Sequence, residues 1–549
     1  MIRILAGAAL LIASIFLSSS GIERFLGREP GSLAWGPALF RLLLFVHGAA
    51  LIAWAYFRRR LGPVARPALP LWLLPLSLAA ILLRLYQLDS CLWFDEVLTL
   101  LDFARPSFGL ILTSFPNQNQ HMLFSLLAHA SLVTFGESAW ALRLPAVFFG
   151  VAGIWAVYLL GRRLLGHRAA LAACSLMTVS YHHVWFSQNA RGYTGVMLAA
   201  TLATWLYLEA LERRRWSWWM AYSLALFLGL WIHMTAAFVA AGHVLLYTVL
   251  RALRRKPETD AGWMPLAAWA LCGSLSLQVY ALSLPDFLNH ALHEVSLPSE
   301  WLNPLWLITE TARGLAIGWP GAVAGLLGLV LVAVGYARIL RRHGRAAVLM
   351  VLPAMLGGAA MVLLAHNLWP RFFFFSMGFA LLIVIEGALG LPRLLLAARP
   401  RLGAIAGGAL VVLILSVSAA TLPRCYRLPK QDFTGARDFV ERSRSRHDPA
   451  VAVGLAARAY ADFFAPHWRT AQTAADLDRL RRDAPGLWLI YTLPIQVKAY
   501  HPEIWQSIQT GFETVRVFPG TLGGGEVYVC RLPGRTRVTE LQFRNEIRQ

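Results

Sequence analysis

The chain has 549 residues, 57% of them hydrophobic and 14% charged, with a mean hydropathy of +0.55 and a formal net charge of +21. A water-soluble globular protein of ordinary composition does not reach that hydropathy, so the chain is an integral membrane protein. The positive charge sits in short Arg clusters between apolar stretches, as topology signals do, which sets aside a nucleic-acid partner.

Taken in chain order, the first apolar segment, MIRILAGAALLIASIFLSSSG, has the short basic start, apolar core and small residues of a signal peptide. An uncleaved span is preferred, because a basic start fits an inside N-terminus and the later topology then closes. Stretches long enough to cross a bilayer as helices lie near 3–18, 35–57, 68–88, 140–160, 169–186, 192–210, 217–232, 234–250, 263–283, 319–338, 346–365, 372–390 and 402–421. The basic clusters at 58–60, 162–163, 213–215, 251–256, 338–345 and 393–401 all fall on one face if the stretch 121–135, HMLFSLLAHASLVTF, does not cross. Short and carrying two histidines, that stretch reads as a helix lying at the outer surface or partly re-entrant. About thirteen spans result, with the N-terminus inside and the C-terminus outside.

This topology puts the loop 89–139, the turn SQNARGY, the loop 284–318, the turn HNLWPR and everything after Thr421 on the non-cytoplasmic side. Polar clusters that the positive-inside rule does not explain gather there, as expected of a protein whose chemistry is exported. After Thr421 the apolar period changes: AVAVGL and GLWLIYTL read as strands, DLDRLRRDA as an amphipathic helix, and VRVFPGTLGGGEVYVCRL as two strands joined by a Gly-rich hairpin. The expected organisation is N-terminal spans over 1–67, a membrane domain over 68–421 and a small extracytoplasmic α/β domain over 422–549. The cysteines Cys91, Cys174, Cys272, Cys425 and Cys530 show no CxxC or Cys/His ligand spacing and read as structural thiols.

In LWFDEVLTL, Asp95 and Glu96 follow the 68–88 span by a few residues. An acidic pair ahead of VLTLLDFA favours a helix N-terminus, which is capping. A carboxylate at a membrane rim beside Trp93 and Phe94 is also partly desolvated, and suits a general base. Three arginines share that face against the orientation rule: Arg143 in ALRLPAVFFG, Arg191 in SQNARGY and Arg371 in LWPRFFFF. One alone reads as snorkelling to headgroups; three in separate turns favour a phosphate site, because the guanidinium fork matches a pair of phosphate oxygens. Of His121, His182, His183, His233 and His366 at outer helix ends, most read as satisfied polar residues or interfacial anchors. His121 is the best candidate for substrate contact, through its neighbours Asn117, Asn119 and Gln120. Trp185, Trp319 and Trp369 read as belt anchors, whereas Tyr193, with Gln188 and Asn189 of the same turn, stays a substrate-binding candidate.

Four stretches together, LRLYQLDSCLWFDEVLTL, NQNQHMLFSLLAHASLVTFGESAWALRLPAVFFG, YHHVWFSQNARGY and LWPRFFFFSMGFALLIV, resemble membrane glycosyltransferases of the GT-C fold. The group they are most similar to comprises protein O-mannosyltransferases, lipid A aminoarabinose transferases and rhizobial lipopolysaccharide transferases. The resemblance covers roughly 68–390 and implies a polytopic α-helical GT-C fold in a bacterial inner membrane, with the active site on the periplasmic side. It further implies transfer of a sugar from a polyprenyl-phosphate-linked donor to a lipid, glycan or protein acceptor, with Asp95 catalytic and Glu96 as its acidic neighbour. Relatives commonly carry His-Pro-Pro where this chain reads Gln120-His121-Met122, so His121 is kept without the rigid prolines. Metal-using relatives place carboxylates where SQNARGY has none, so no metal and no other cofactor is expected.

The chemistry stands beside the family. A lipid-phosphate sugar has a good leaving group, so the enzyme needs a base for the acceptor hydroxyl and cations for the departing phosphate. Asp95 supplies the first and Arg191, Arg371 and Arg143 the second; attack opposite the phosphate inverts the anomeric carbon. The competing reading is a transporter or lipid-linked glycan flippase, which usually places ionisable residues at the bilayer midplane and often repeats itself. Here Glu209 and Glu386 lie toward inner ends of spans and no repeat is visible. A receptor-like or assembly protein working through its C-terminal domain is a third, which the polar outer loops weigh against.

Overall fold

A computed structural model describes residues 2–56, 70–290, 299–315, 322–483 and 486–532. Within the chain two compact units separate: Met1–Leu88 with Thr99–Val295 and Asn303–Leu422, and Asp89–Leu98 with Ser296–Leu302 and Pro423–Gln549. The basic cluster 58–60, Trp319 and parts of the loop 284–318 lie outside the described residues.

Among the described residues the regular structure of the first unit is all helix, one of the two ways, with closed barrels, in which a chain in hydrocarbon can satisfy its backbone. In their described residues all the stretches expected to cross but one coincide with a helix, from Ile2–Phe16 and Gly36–Tyr56 to Met377–Leu395 and Pro400–Arg427. Among the described residues six helices are long and apolar enough to cross a membrane, or seven if the bent pair Ile2–Phe16 and Ser19–Phe25 is one span. Leu73–Leu85, Met122–Phe135, Trp216–Ile232 and Ala236–Ala252 are apolar but shorter. Ile2–Phe16 packs against Gly36–Tyr56 where Gly7 meets Gly48: a Cβ on either would lie 2.7 Å from the other's carbonyl oxygen. Such contacts between small residues replace the hydrophobic drive that lipid cannot supply.

One expected span is broken. The stretch 169–186 forms His167–Val179 and then Tyr181–Ser187, with Ser180 between them accepting from the His183 amide at 3.4 Å. The last carbonyls of the first piece, Met177 and Thr178, accept from the guanidinium of Arg84 at 3.2 and 3.3 Å. Arg84 also donates to Ser187 Oγ at 3.2 Å and lies 2.7 Å from His183 Nδ1. A buried guanidinium thus takes over carbonyls that a continuous helix would have satisfied.

The second unit is an α/β layer around five strands: β1 (Ala450–Val453), β2 (Arg469–Ala471), β3 (Trp488–Thr492), β4 (Glu513–Phe518) and β5 (Val527–Arg531). Their order is β2-β1-β3-β5-β4, with β1 parallel to both β2 and β3, and β5 antiparallel to β3 and β4. The unbroken apolar runs AVAV and WLIYT are what parallel strands covered on both faces require. Val451, Val453 and Leu489 pack there with Leu477, Val497, Ile504 and Ile508 of the helices. The expected strands, hairpin and amphipathic helix (Ala474–Asp483) are all present; β2, three residues at an exposed edge, carries no apolar signal.

Candidate functional site

In the first unit the polar residues converge on the turn that opens the helix Tyr193–Arg213. Arg191 is only 2% exposed. Its Nη1 donates to Asn119 O at 2.9 Å and Thr99 Oγ1 at 3.3 Å, and its Nη2 to Asn119 Oδ1 at 3.1 Å. These oxygens are neutral, so they orient the guanidinium without cancelling its charge. Next in the chain, the Gly192 amide donates to His121 Nδ1 at 2.8 Å, which leaves the ring proton on Nε2. A Cβ at Gly192 would come within 2.6 Å of Ile232 Cγ2 and 3.1 Å of His121 Nδ1, so the contact requires glycine.

Around this turn the aromatic rings are stacked edge to face. The ring centroid of His121 lies 5.3 Å from that of Tyr193 and 4.4 Å from that of His233, and Phe186 meets Tyr193 at 5.4 Å. The guanidinium of Arg371 lies 4.7 Å from the Trp369 ring centroid and 5.8 Å from that of Phe372. Phe372 in turn faces His233 at 6.3 Å and His366 at 6.0 Å, and His366 hydrogen bonds Gln118. His121 and His233 stand in the turns between helices; burial first, then the charges of Arg191 and Arg371, hold both pKa values down, His233 to about 3. Both imidazoles are neutral at pH 7, so the positive charge of the site belongs to the arginines.

Three atoms of the cluster, Arg191 Nε, His121 Nε2 and Tyr193 Oη, are buried without a hydrogen-bond partner among the described residues. Buried polar groups are nearly always paired, and all three of these can donate. The cluster is therefore short of acceptor oxygens. Among the described residues no group of three His, Cys, Asp or Glu side chains is placed to hold a metal ion.

The remaining candidates of this unit are held by backbone. Arg143 is fully buried and its Nη1 donates to Leu88 O at 2.7 Å, fixing the end of the helix that begins at Leu73. Gln188 Nε2 donates to the carbonyls of Arg84 and Tyr86 at 3.0 and 2.7 Å, a positioning contact. Asn189 is buried, and its carbonyl accepts from the Arg191 amide at 2.6 Å. Sequence reasoning passed over Arg84 and Thr99: the first looks like one polar residue in LLRLYQL, and the second is a lone threonine whose partner is 92 residues away.

Asp95 and Glu96 belong to the second unit, in the short helix Phe94–Leu98, and both are buried. Glu96 Oε2 accepts from the Trp93 amide at 3.3 Å, the reach-back of a capping box, and lies 4.0 Å from Lys430 Nζ. The neighbouring Gln431 Oε1 accepts from the Phe94 amide at 3.0 Å, while its Nε2 donates to Thr492 Oγ1 at 2.9 Å at the end of β3. Capping is thus the work of Glu96, and Gln431 ties the acidic segment to the sheet.

The carboxylates named within the spans are engaged at the other end of the first unit's helices. Glu209 pairs with Arg163 and Arg213, each at 2.5 Å, and Glu386 with Arg338 at 2.7 Å. The helix Tyr193–Arg213 has the Arg191 turn at its start and Glu209 in its last turn; 21 residues put these about 30 Å apart.

Comparison with known proteins gives a partial match in sequence. The family of dolichyl-phosphate-mannose-protein mannosyltransferases matches over residues 119–276, which hold Asn119, His121, Arg143, Arg191, Tyr193 and His233. The expected resemblance to GT-C glycosyltransferases of the O-mannosyltransferase and aminoarabinose-transferase type is borne out by that match. No curated protein matches. Among solved structures, apo ArnT from Cupriavidus metallidurans is similar at 13% identity, over 84% of this chain and 97% of its own, with a TM-score of 0.46. Archaeal oligosaccharyltransferase AglB from Archaeoglobus fulgidus, in complex with an inhibitory peptide and a dolichol-phosphate, aligns at 11% identity over 83% of this chain and 74% of its own, TM-score 0.45. Arabinosyltransferase EmbB from Mycobacterium smegmatis aligns at 14% identity over 73% and 46%, TM-score 0.42.

Proposed function

We propose that this chain is an inverting GT-C glycosyltransferase that moves a sugar from a polyprenyl-phosphate-linked donor to an acceptor hydroxyl on the outer face of a bacterial inner membrane. The observation that carries the reading is the buried Arg191 cluster, in which Arg191 Nε, His121 Nε2 and Tyr193 Oη lack acceptors among the described residues. A phosphate group offers only acceptor oxygens and a negative charge, which is what these three donors, one of them on Arg191 itself, and the second arginine, Arg371, require. The match to a mannosyltransferase family over that same stretch supports it.

In the proposed reaction the acceptor oxygen bonds to the anomeric carbon as the bond from that carbon to the donor phosphate oxygen breaks. The acceptor proton passes to Asp95, and the lipid phosphate leaves carrying the bonding electron pair. Arg191 and Arg371 stabilise the charge that grows on the phosphate, and fixed donors do so without reorganising. Arg143 and Gln188 hold the loop and turn that carry these groups, and Asn189 shapes the turn; His121 and Tyr193 contact the donor. Asp95 precedes Thr99, an anchor of Arg191, by four residues in the chain. The transporter reading is weakened because Glu209 and Glu386 are spent on arginines at helix ends.

The test is a transfer assay in nanodiscs with defined polyprenyl-phosphate sugars, with product read by mass spectrometry and its anomeric configuration by NMR. Wild type is expected to transfer with inversion, and Asp95→Asn to lose about 10²–10⁴-fold in turnover. Full activity in a folded Asp95→Asn variant removes the base; retention of configuration removes the single displacement.

A further inference from the structure

We propose that the second unit carries a saccharide-binding crevice at the C-terminal ends of β1, β2 and β3, and that this crevice holds the acceptor glycan; the latter assignment rests on the transferase reading. From β1 the chain moves outward to β2, whereas from β3, on the other side of β1, it moves outward to β4 and β5. Between β1 and β3 the connections diverge, and in open α/β sheets that divergence leaves a crevice beyond the carboxyl ends of the strands. A cavity of about 560 Å³ lies there, bounded by Gly454 after β1, Thr470 and Gln472 at β2, and Gln496 and His501 after β3.

Two features mark it as built. Gly454 has φ +60°, and a Cβ there would stand 3.0 Å from Val497 Cγ2 and 3.1 Å from Gln496 Oε1, so any side chain would crowd the floor. Gln496 is 8% exposed and its Oε1 has no hydrogen-bond partner among the described residues. A buried amide oxygen at the floor of a crevice awaits a donor from outside the chain.

The walls define the ligand. Arg458 and Asp462 pair at 3.4 Å across one turn, so the two charges in the lining offset each other. Thr470, Gln472 and His501 offer a hydroxyl, an amide and an imidazole, each able to donate and to accept. With its charges offset the crevice selects neither an anion nor a cation, and the polar walls disfavour a hydrocarbon; an uncharged polyol presents donors and acceptors in alternation. Phe94 adds an apolar surface for the C–H face of a sugar, and it is the residue before Asp95.

The experiment is saturation-transfer NMR on the full chain in nanodiscs, with methyl mannoside, methyl glucoside and N-acetylglucosamine as probes. At least one is expected to bind in the millimolar range, and the double variant Thr470→Val, Gln472→Leu to weaken it about tenfold. Both side chains are exposed, so the fold does not rest on them, and Gln496→Leu gives an independent second reading with the same expected loss. Arg191→Ala is expected to leave the signal unchanged. No transfer of saturation from any probe to wild type, or an unchanged signal in both crevice variants, overturns the site. In the transfer assay the double variant should raise KM for the acceptor and leave KM for the lipid donor alone; an unmoved acceptor KM overturns the acceptor assignment. If wild type binds probe but transfers no sugar from any lipid donor, the transferase reading falls while the saccharide site stands.

Discussion

The two ends of the first unit's helices treat arginine differently. At the end that holds the last turn of Tyr193–Arg213, Arg163 and Arg213 meet Glu209, and Arg338 meets Glu386, all within 2.7 Å. At the other end Arg191 is equally committed in geometry, yet its partners are the carbonyl and amide oxygen of Asn119 and the hydroxyl of Thr99. A carboxylate partner neutralises a guanidinium and leaves it structural; neutral oxygens aim it and preserve its charge for a ligand. Both kinds count alike in the net charge of the sequence, so only the partners distinguish a fastening from a site.

That contrast is open to direct attack. Between the two helix ends the larger effect is expected from Arg191→Ala, about 10²–10³-fold in turnover with little change in thermal midpoint, because the proposed site loses a charge aimed at the departing phosphate. Arg163→Ala should do the reverse, lowering the midpoint by leaving Glu209 one ion pair fewer while turnover stays within about twofold. Equal effects on both readouts from both variants would erase the distinction. Next comes Gly192→Ala: its new methyl must displace Ile232 or His121, at a cost of about 1–3 kcal/mol, seen as a lower midpoint together with a higher KM for the lipid donor.

The pH response follows in size. The folded pKa of His233 is depressed to about 3 by burial and by Arg191 and Arg371, below its ordinary value of 6.5. A depressed group leaves stability intact above the unfolded value and erodes it as pH falls from about 6.5 toward 3, by at most about 1.4 kcal/mol per pH unit. His121 is displaced in the same direction. The thermal midpoint in nanodiscs should fall as the buffer is taken from pH 7 to pH 5, and His233→Asn should flatten the slope; an unchanged slope would mean that the folded imidazole titrates as the unfolded one does and is not depressed. The smallest effect is expected from Glu96→Gln, which keeps an acceptor for the Trp93 amide and removes the charge beside Lys430. Transfer should drop a few-fold, far less than for Asp95→Asn, and equal losses would make the two carboxylates one functional unit.

The turn SQNARGY shows how far sequence reading reaches. Arg191 stood out because an arginine on the expected outer face runs against the orientation rule, and His121 because of the amide-rich residues before it. The structure joins them through Gly192, across 71 residues, a contact with no local signature. Gln188 and Asn189 looked equally polar in the string, yet Gln188 donates to the backbone of the helix that begins at Leu73 and Asn189 closes the turn. The break at Ser180 was half hidden for a similar reason. The polar step Ser180-Tyr181-His182-His183 marks the place, but the guanidinium that caps the broken piece comes from Arg84, more than ninety residues upstream.

The sequence by itself determined what local composition decides: apolar stretches that form helices, basic clusters between them, and a C-terminal region whose strands repeat with a shorter period. Hydropathy and periodicity are sums over neighbours in the chain, so no partner is needed to read them. Only the tertiary structure decided which polar residues are spent and which are left over. That depends on whether an arginine finds a carboxylate, a carbonyl or nothing, and those partners arrive from helices distant in sequence. The segment 89–98 shows the same division: its acidic pair is visible in the chain, but only folding groups it with Lys430, Gln431 and the sheet, more than three hundred residues later.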